Sequence, residues 1–83
     1  MSYEKVSQAS KVLIGTKQTL KALESNSADA VIVADDAESK VIGKVLLAAE
    51  AKGVSIYKVD SMKKLGKVCG IDVGAAAVAL KKQ

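Results

Sequence analysis

Short apolar runs alternate with helical patterns along this chain, and that alternation restricts its fold more than any other feature. Residues 30–34 are apolar at every position, as in a strand that is covered on both faces. Further strands are predicted at residues 12–14, 54–59 and 75–80. Strands that alternate with helices pack as a sheet between two helical layers. The sequence therefore predicts a three-layer α/β/α sandwich around a four-stranded sheet, with residues 1–83 forming a single domain.

The helices between these strands are predicted from apolar spacing and from capping residues. Thr16 follows a glycine, and its hydroxyl is expected to cap the helix that begins there. Asp35 and Asp36 are expected to begin the next helix, and Gly53 stands where a C-terminal glycine belongs. Ser61 is expected to cap the last helix. The predicted helices span residues 2–10, 16–24, 35–52 and 62–69.

The residue inventory excludes most catalytic chemistry. The chain has no histidine and one cysteine, so it can form neither a Ser-His triad nor a zinc site. Asp35, Asp36 and Glu38 could bind Mg²⁺, but capping and the helix dipole already explain acidic residues at a helix start. Cys69 is predicted to be a small buried hydrophobe, because no base is present to activate its thiol. We therefore expect no enzyme activity, no catalytic residue, no metal and no cofactor.

The charge balance favours an anionic partner. All 13 basic residues are lysines, and with 9 acidic residues they give a net charge of +4, which is typical of proteins that bind nucleic acid. Tyr3 and Tyr57 are the only aromatic residues, which argues against a row of rings that stacks single-stranded bases. No apolar run reaches the roughly 20 residues that span a bilayer, and no apolar signal segment follows the N-terminus. We expect a cytoplasmic location without a membrane partner, and the lone cysteine fits a reducing compartment.

The first candidate site is the turn where the strand at residues 12–14 passes into the next helix. The free N–H groups of that helix start and the helix dipole favour an anion. Lys17 and Lys21 lie one turn apart on one face, and Gln18 beside them offers both a donor and an acceptor. The alternative is an ordinary strand-to-helix turn with two solvated lysines. No glycine-rich phosphate loop is present, so this turn is not expected to bind a nucleotide.

The second candidate site is the loop at residues 70–76. Ile71 and Val73 are apolar in a segment that is expected to run over the surface. They either fold inward and plug the end of the sheet, or form an apolar pad for unstacked bases or a protein partner. The lysines of the preceding helix either form an ordinary solvated face or, if the two loops meet at one end of the sheet, join this surface together with lysines near the first turn. Those lysines are Lys11, Lys17, Lys21, Lys63, Lys64 and Lys67.

Three segments carry a resemblance to a known family. Residues 15–23 read GTKQTLKAL, residues 33–37 read VADDA, and residues 65–73 read LGKVCGIDV. Together they resemble the L7Ae superfamily of ribosomal and ribonucleoprotein RNA-binding proteins, most closely its small bacterial members of the YbxF type. The segments are similar to the RNA-contacting motif G-T-N-E-x-x-K, a strand-to-helix acidic segment and the signature L-G-x-x-x-G-I-x-V. Lys17 and Gln18 stand where that motif has Asn and Glu.

The resemblance implies a mixed four-stranded sheet and binding to kink-turns, which are sharply bent RNA duplexes with tandem sheared G·A pairs. The helix that begins at Thr16 would enter the major groove widened at the bend, because ordinary A-form RNA keeps that groove too narrow for side chains. Lys17, Gln18 and Lys21 would contact guanine edges and nearby phosphates. Gly15 and Thr16 would bring the backbone close to the RNA.

The resemblance assigns the second loop to the same interface, where Ile71, Asp72 and Val73 would cover the bases extruded from the bend. The expected protein is a monomeric, non-enzymatic RNA-binding protein that stabilises the kink-turn. Its partner would be ribosomal RNA, a riboswitch or a messenger leader, and the ribosome itself is a further candidate. The alternative is a protein-interaction module of the same fold, whose contact surface combines Ile71, Val73 and the alanine-rich strand at residues 75–80.

Overall fold

The fold consists of strands and helices in strict alternation. The computed structural model describes Val6 and residues 11–81, so the helix predicted at residues 2–10 lies outside the described residues, apart from Val6, which is helical and buried. The strands are β1 (Lys11–Ile14), β2 (Ala30–Ala34), β3 (Ser55–Val59) and β4 (Ala77–Lys81). The helices are α1 (Thr16–Glu24), α2 (Ser39–Lys52) and α3 (Met62–Val68). None of the helices in the described part of the chain is long and apolar enough to cross a bilayer.

The four strands form one mixed sheet in the order β1-β4-β2-β3. β2 pairs in parallel with β3, whereas β4 runs antiparallel to both β1 and β2. The central strands β2 and β4 are the most apolar runs of the sequence, and they are almost completely buried. Their composition therefore places them in the middle of the sheet, where both faces are covered.

The two faces of the sheet carry separate cores because side chains alternate along a strand. Val31 and Val33 of β2 pack into the core beneath α1 and α2. Ile32 and Ala34 pack into the opposite core, which contains Leu65 of α3 and also Val6. The predicted α/β/α sandwich with a mixed sheet is therefore confirmed.

The starts of two helices differ from the prediction. Thr16 is the first residue of α1 rather than its cap, and no side chain caps that helix. Asp35 and Asp36 lie in a turn, and α2 begins only at Ser39. The reason is the chain path, because the end of β2 must first turn away from the sheet edge before a helix can pack back onto it. Two other predictions are confirmed: Gly53 ends α2 in the left-handed conformation, and the Ser61 hydroxyl accepts a hydrogen bond from the Lys64 N–H.

Strand β4 cannot form the contact surface proposed in the protein-interaction alternative. Ala77 and Ala79 are completely buried between the sheet and the α1–α2 layer, and Val78 is completely buried on the opposite face. These small side chains allow α1 to pack directly over this strand. That part of the alternative is therefore wrong.

Candidate nucleic-acid interface

The two candidate loops lie at the same edge of the sheet. Because β4 runs antiparallel to β1 and β2, its first residue lies beside the last residues of both. The Gly15 N–H donates to the Ala77 carbonyl oxygen at 3.0 Å, and the Ala34 N–H donates to the Ala76 carbonyl oxygen at 2.9 Å. The turn after β1 is thus bonded to the first residue of β4, and the end of β2 to the last residue of the loop before it, so the two candidate loops lie close together, a proximity that the sequence left open.

Gly15 shapes the first loop through a backbone conformation that other residues rarely adopt. Its φ of 104° and ψ of 155° fall in a region that is essentially restricted to glycine. Its carbonyl oxygen accepts hydrogen bonds from the Thr19 N–H at 2.9 Å and from the Thr19 hydroxyl at 2.8 Å. Because Thr19 is completely buried, these bonds fix the start of α1 relative to the sheet.

The start of α1 is a positively charged surface with free hydrogen-bond donors. The first N–H groups of a helix have no partner within the helix, and here no side chain caps them and no acidic residue lies in the first turn. Lys17, Gln18 and Lys21 are all exposed, whereas Thr16 is half-buried. This arrangement can receive an anion from solvent.

The second loop is held in place by α3. A Cβ atom at Gly66 would overlap the carbonyl oxygen of Val73, so only glycine allows the loop to lie this close to the helix. The Ile71 N–H donates to the Gly66 carbonyl oxygen at 3.1 Å, and the Ala75 N–H donates to the Met62 carbonyl oxygen at 3.0 Å. The loop is therefore a rigid element that rests on the α3 backbone.

The apolar residues of the second loop divide between the two predicted roles. Ile71 is half-buried and packs against the core beneath α3, as a plug would. Val73 is 70% exposed, and Asp72 beside it is also exposed. An isolated exposed valine is ordinary, but this one projects from a rigid loop at the same edge as the start of α1. Ile71 therefore folds inward as the first alternative predicts, whereas Val73 remains exposed, as the second alternative requires.

Asp36 stabilises a helix that is distant in sequence. Its Oδ1 accepts a hydrogen bond from the Met62 N–H at 2.8 Å, so it caps α3 instead of α2. The Asp35 N–H continues the parallel pairing by donating to the Val59 carbonyl oxygen at 2.7 Å. In the described part of the chain, no group of three or more acidic or cysteine side chains is arranged to hold a metal. The acidic segment therefore positions α3, and through it the second loop.

The lysines are distributed unevenly around this edge. Lys63, Lys64 and Lys67 are exposed on α3, where Lys64 forms an exposed ion pair with Asp60 at 3.6 Å. Lys11 lies at the opposite edge, since it begins β1 and pairs with the last residue of β4. It therefore does not join the candidate interface.

Two further lysines, to which sequence analysis gave no role, lie next to the start of α1. Lys40 and Lys44 of α2 line an open groove together with Thr16 and Lys17. Their spacing of four residues was visible in the sequence as a single helical face. What the sequence did not show is that this face lies against α1.

Cys69 is a free, half-buried thiol after α3. Burial raises its pKa above the ordinary value, so the thiol is protonated at neutral pH. A protonated thiol is a poor nucleophile, and it packs with the core beneath α3. The geometry agrees with the structural role predicted for this residue.

Comparisons with known proteins identify the family. The model of the ribosomal protein L7Ae/L30e/S12e/Gadd45 family matches residues 2–83. An RNA-binding protein of Halalkalibacterium halodurans is 65% identical over 82 residues, which cover 99% of this chain and 100% of that protein. RNA-binding protein YbxF of Geobacillus stearothermophilus is 61% identical over 80 residues, which cover 96% of this chain and 98% of that protein. The solved Giardia lamblia 15.5kD RNA binding protein is similar with a TM-score of 0.83 and 29% identity, over 98% of this chain and 68% of that chain.

The fold and the site define a small, non-enzymatic α/β protein with a basic surface at one edge of its sheet. The chain belongs to the L7Ae/L30e/S12e/Gadd45 family of ribosomal proteins, and its similarity to YbxF confirms the predicted kinship with the small bacterial members. This membership also confirms the prediction that the chain is not an enzyme.

Proposed function

We propose that this chain binds RNA and that its target is the kink-turn, a sharply bent duplex with tandem sheared G·A pairs. One observation carries the proposal: the uncapped, basic start of α1 and the rigid loop at residues 70–76 lie at the same sheet edge. Relatives that match nearly the whole chain are named RNA-binding proteins, which supports the same conclusion.

The start of α1 would enter the major groove at the bend. Ordinary A-form RNA has a major groove too narrow for side chains, so a helix gains access only where the duplex is kinked. Lys17 and Gln18 are exposed there, Lys21 is exposed one turn further along, and Gly15 with Thr16 allows the backbone to approach the phosphates. Gln18 can donate to guanine O6 or N7, whereas the lysines contribute charge.

The second loop would cover bases that the bend extrudes. Val73 offers an exposed apolar surface, Ile71 packs against the core beneath α3, and Asp72 offers an acceptor. An extruded base loses stacking with its neighbours, and an apolar side chain recovers part of that contact. Because Gly66 and Met62 fix the loop, the protein does not have to order it on binding.

The proposed mechanism is a shift of the RNA equilibrium from an extended to a bent form. A protein can shift that equilibrium only by its difference in affinity for the two forms. The RNA could be ribosomal RNA, a riboswitch or a messenger leader. If it is ribosomal RNA, the protein would bind it as part of the ribosome. We propose that the protein is a single RNA-binding domain over residues 1–83, acting as a cytoplasmic monomer.

A gel-shift comparison of two RNAs tests this proposal. The first RNA contains a kink-turn, and the second carries Watson–Crick pairs in place of the G·A pairs. We expect tight binding to the first RNA and weak binding to the second. Equal affinity for both would contradict kink-turn recognition, and binding to neither would favour the protein-interaction alternative, for which exposed Val73 is the remaining support.

Lys21→Ala is expected to weaken binding to both RNAs by a similar factor. Lys21 is exposed on the face of α1 that also carries Lys17, so its loss removes one charge near the phosphates. The slope of log affinity against log salt concentration should fall in magnitude by about 1. Lys52→Ala, at the far end of α2, is the matched control and should leave the slope unchanged. An unchanged slope for Lys21→Ala would remove this residue from the interface.

Gln18→Ala is expected to reduce the difference in affinity between the kink-turn RNA and the RNA without G·A pairs. If Gln18 reads a base edge, binding to the intact motif should weaken by about 1–3 kcal/mol, with little change for the RNA that lacks G·A pairs. Isothermal titration with both RNAs measures this difference. Glu24→Ala, an exposed change at the other end of the same helix, is the control. Equal losses on both RNAs would show that Gln18 does not contribute to specificity.

A further inference from the structure

An open groove of about 540 Å³ runs between α1 and α2, next to the candidate interface. Leu20 and Val41 contribute its apolar part. The polar part comes from the first turn of α1 and the first two turns of α2, and neither helix has a side-chain cap. Its lining consists of Thr16, Lys17, Leu20, Lys40, Val41 and Lys44.

The groove concentrates positive charge that nothing in the described structure neutralises. Lys17, Lys40 and Lys44 are all exposed, and within residues 11–81 none of the three forms an ion pair. Lys40 and Lys44 are one helical turn apart, a spacing at which like charges repel each other and destabilise a helix. An anion placed between these ammonium groups would remove the repulsion and add attraction.

We propose that this groove binds the phosphate backbone of the RNA strand that leaves the kink, so that the RNA footprint extends from the start of α1 across α2. This inference rests on the proposed function, because Thr16 and Lys17 belong to both surfaces. The interface is then one continuous basic strip.

The chemistry of the groove favours a polyanionic strand over a base or a free nucleotide. Lysine is a compact point charge without an acceptor or planar fork, which suits a row of lysines to the successive phosphates of a strand. Leu20 and Val41 can contact the apolar faces of riboses between successive phosphates. The chain has no glycine-rich loop that would cradle a nucleotide phosphate, and the groove is open to solvent.

The test compares Lys40→Ala/Lys44→Ala with the charge-matched variant Lys11→Ala/Lys52→Ala. Lys11 and Lys52 are exposed at the opposite edge of the sheet. For the groove variant, we expect about tenfold weaker binding to the kink-turn RNA and a salt slope lower in magnitude by about 2. The control variant should match the wild type. All four side chains are exposed, so we expect both variants to fold like the wild type. Unfolding followed by circular dichroism checks this.

A second RNA, with one arm of the duplex shortened, locates the contact. Shortening the arm that crosses the groove should weaken wild-type binding but not that of the groove variant. An unchanged salt slope in the groove variant, or equal losses in the groove and control variants, would overturn the groove proposal while leaving kink-turn recognition intact. Equal affinity of the wild type for the kink-turn RNA and for the RNA without G·A pairs would instead overturn the proposed function. In that case the salt slopes would still show whether the groove lysines contact phosphates.

Discussion

Gly66→Ala is expected to force the loop at residues 70–76 off α3 and to weaken RNA binding more than any other single change considered. The added Cβ would overlap the Val73 carbonyl oxygen, which is backbone and cannot rotate away. Relief requires the loop to move, which breaks the hydrogen bond from the Ile71 N–H to the Gly66 carbonyl oxygen. Overpacking of this kind costs about 3 kcal/mol in the free energy of unfolding.

Gly43→Ala is the matched control for that substitution. Gly43 lies inside α2, and a Cβ there meets no atom within 4 Å. Replacing a glycine inside a helix by alanine should stabilise the protein by about 0.5–1 kcal/mol. Chemical denaturation measures both variants, and RNA binding is titrated well below the unfolding midpoint. Normal RNA affinity of folded Gly66→Ala protein would show that the loop does not contact RNA.

Gly15→Ala is expected to have the second largest effect, through the start of α1. Alanine at φ 104° and ψ 155° is strained by about 1–3 kcal/mol, so the turn should relax to another conformation. That change would move the carbonyl oxygen that receives both hydrogen bonds of Thr19, and the N–H that bonds Ala77. We expect lower stability and at least about tenfold weaker RNA binding, because the lysines of α1 are displaced from their phosphates.

Gly53→Ala is the control that separates an effect on stability from an effect on the RNA-binding surface. Gly53 also has a positive φ, 68°, but it ends α2 at the edge of the sheet opposite the candidate interface. Alanine there should cost about 1 kcal/mol of stability without changing the RNA affinity of the folded protein. If Gly15→Ala and Gly53→Ala had the same effect on RNA affinity, the turn at Gly15 would have no special role in binding.

The features that sequence reasoning predicted correctly are those that depend on local chemistry. Residues 30–34 are apolar at every position, and they form a central strand. Gly53 acts through its own backbone conformation, and Ser61 acts through the N–H three residues later. Their roles therefore follow from neighbouring residues alone. Membership in the family was predicted from short motifs that keep their order along the chain.

The features that sequence reasoning missed depend on contacts between residues that are distant along the chain. Asp36 caps a helix that begins 26 residues later, so no local rule could distinguish it from a cap for α2. The meeting of the two loops follows from the antiparallel placement of β4, which strand patterns do not specify. The basic groove requires α2 to lie beside α1, and the sequence alone does not show that Lys40 and Lys44 lie next to that helix.

The central claim is that one edge of the sheet carries the whole RNA interface, and backbone amide chemical shifts measured during titration with a kink-turn RNA test it most directly. The largest changes are predicted at residues 15–21 and 70–74, with smaller ones at residues 40–44. Amides of the opposite edge, at residues 24–29 and 50–55, should remain close to their free positions. Saturable shifts centred on that opposite edge, with the Gly15 turn and the Val73 loop unchanged, would contradict the account.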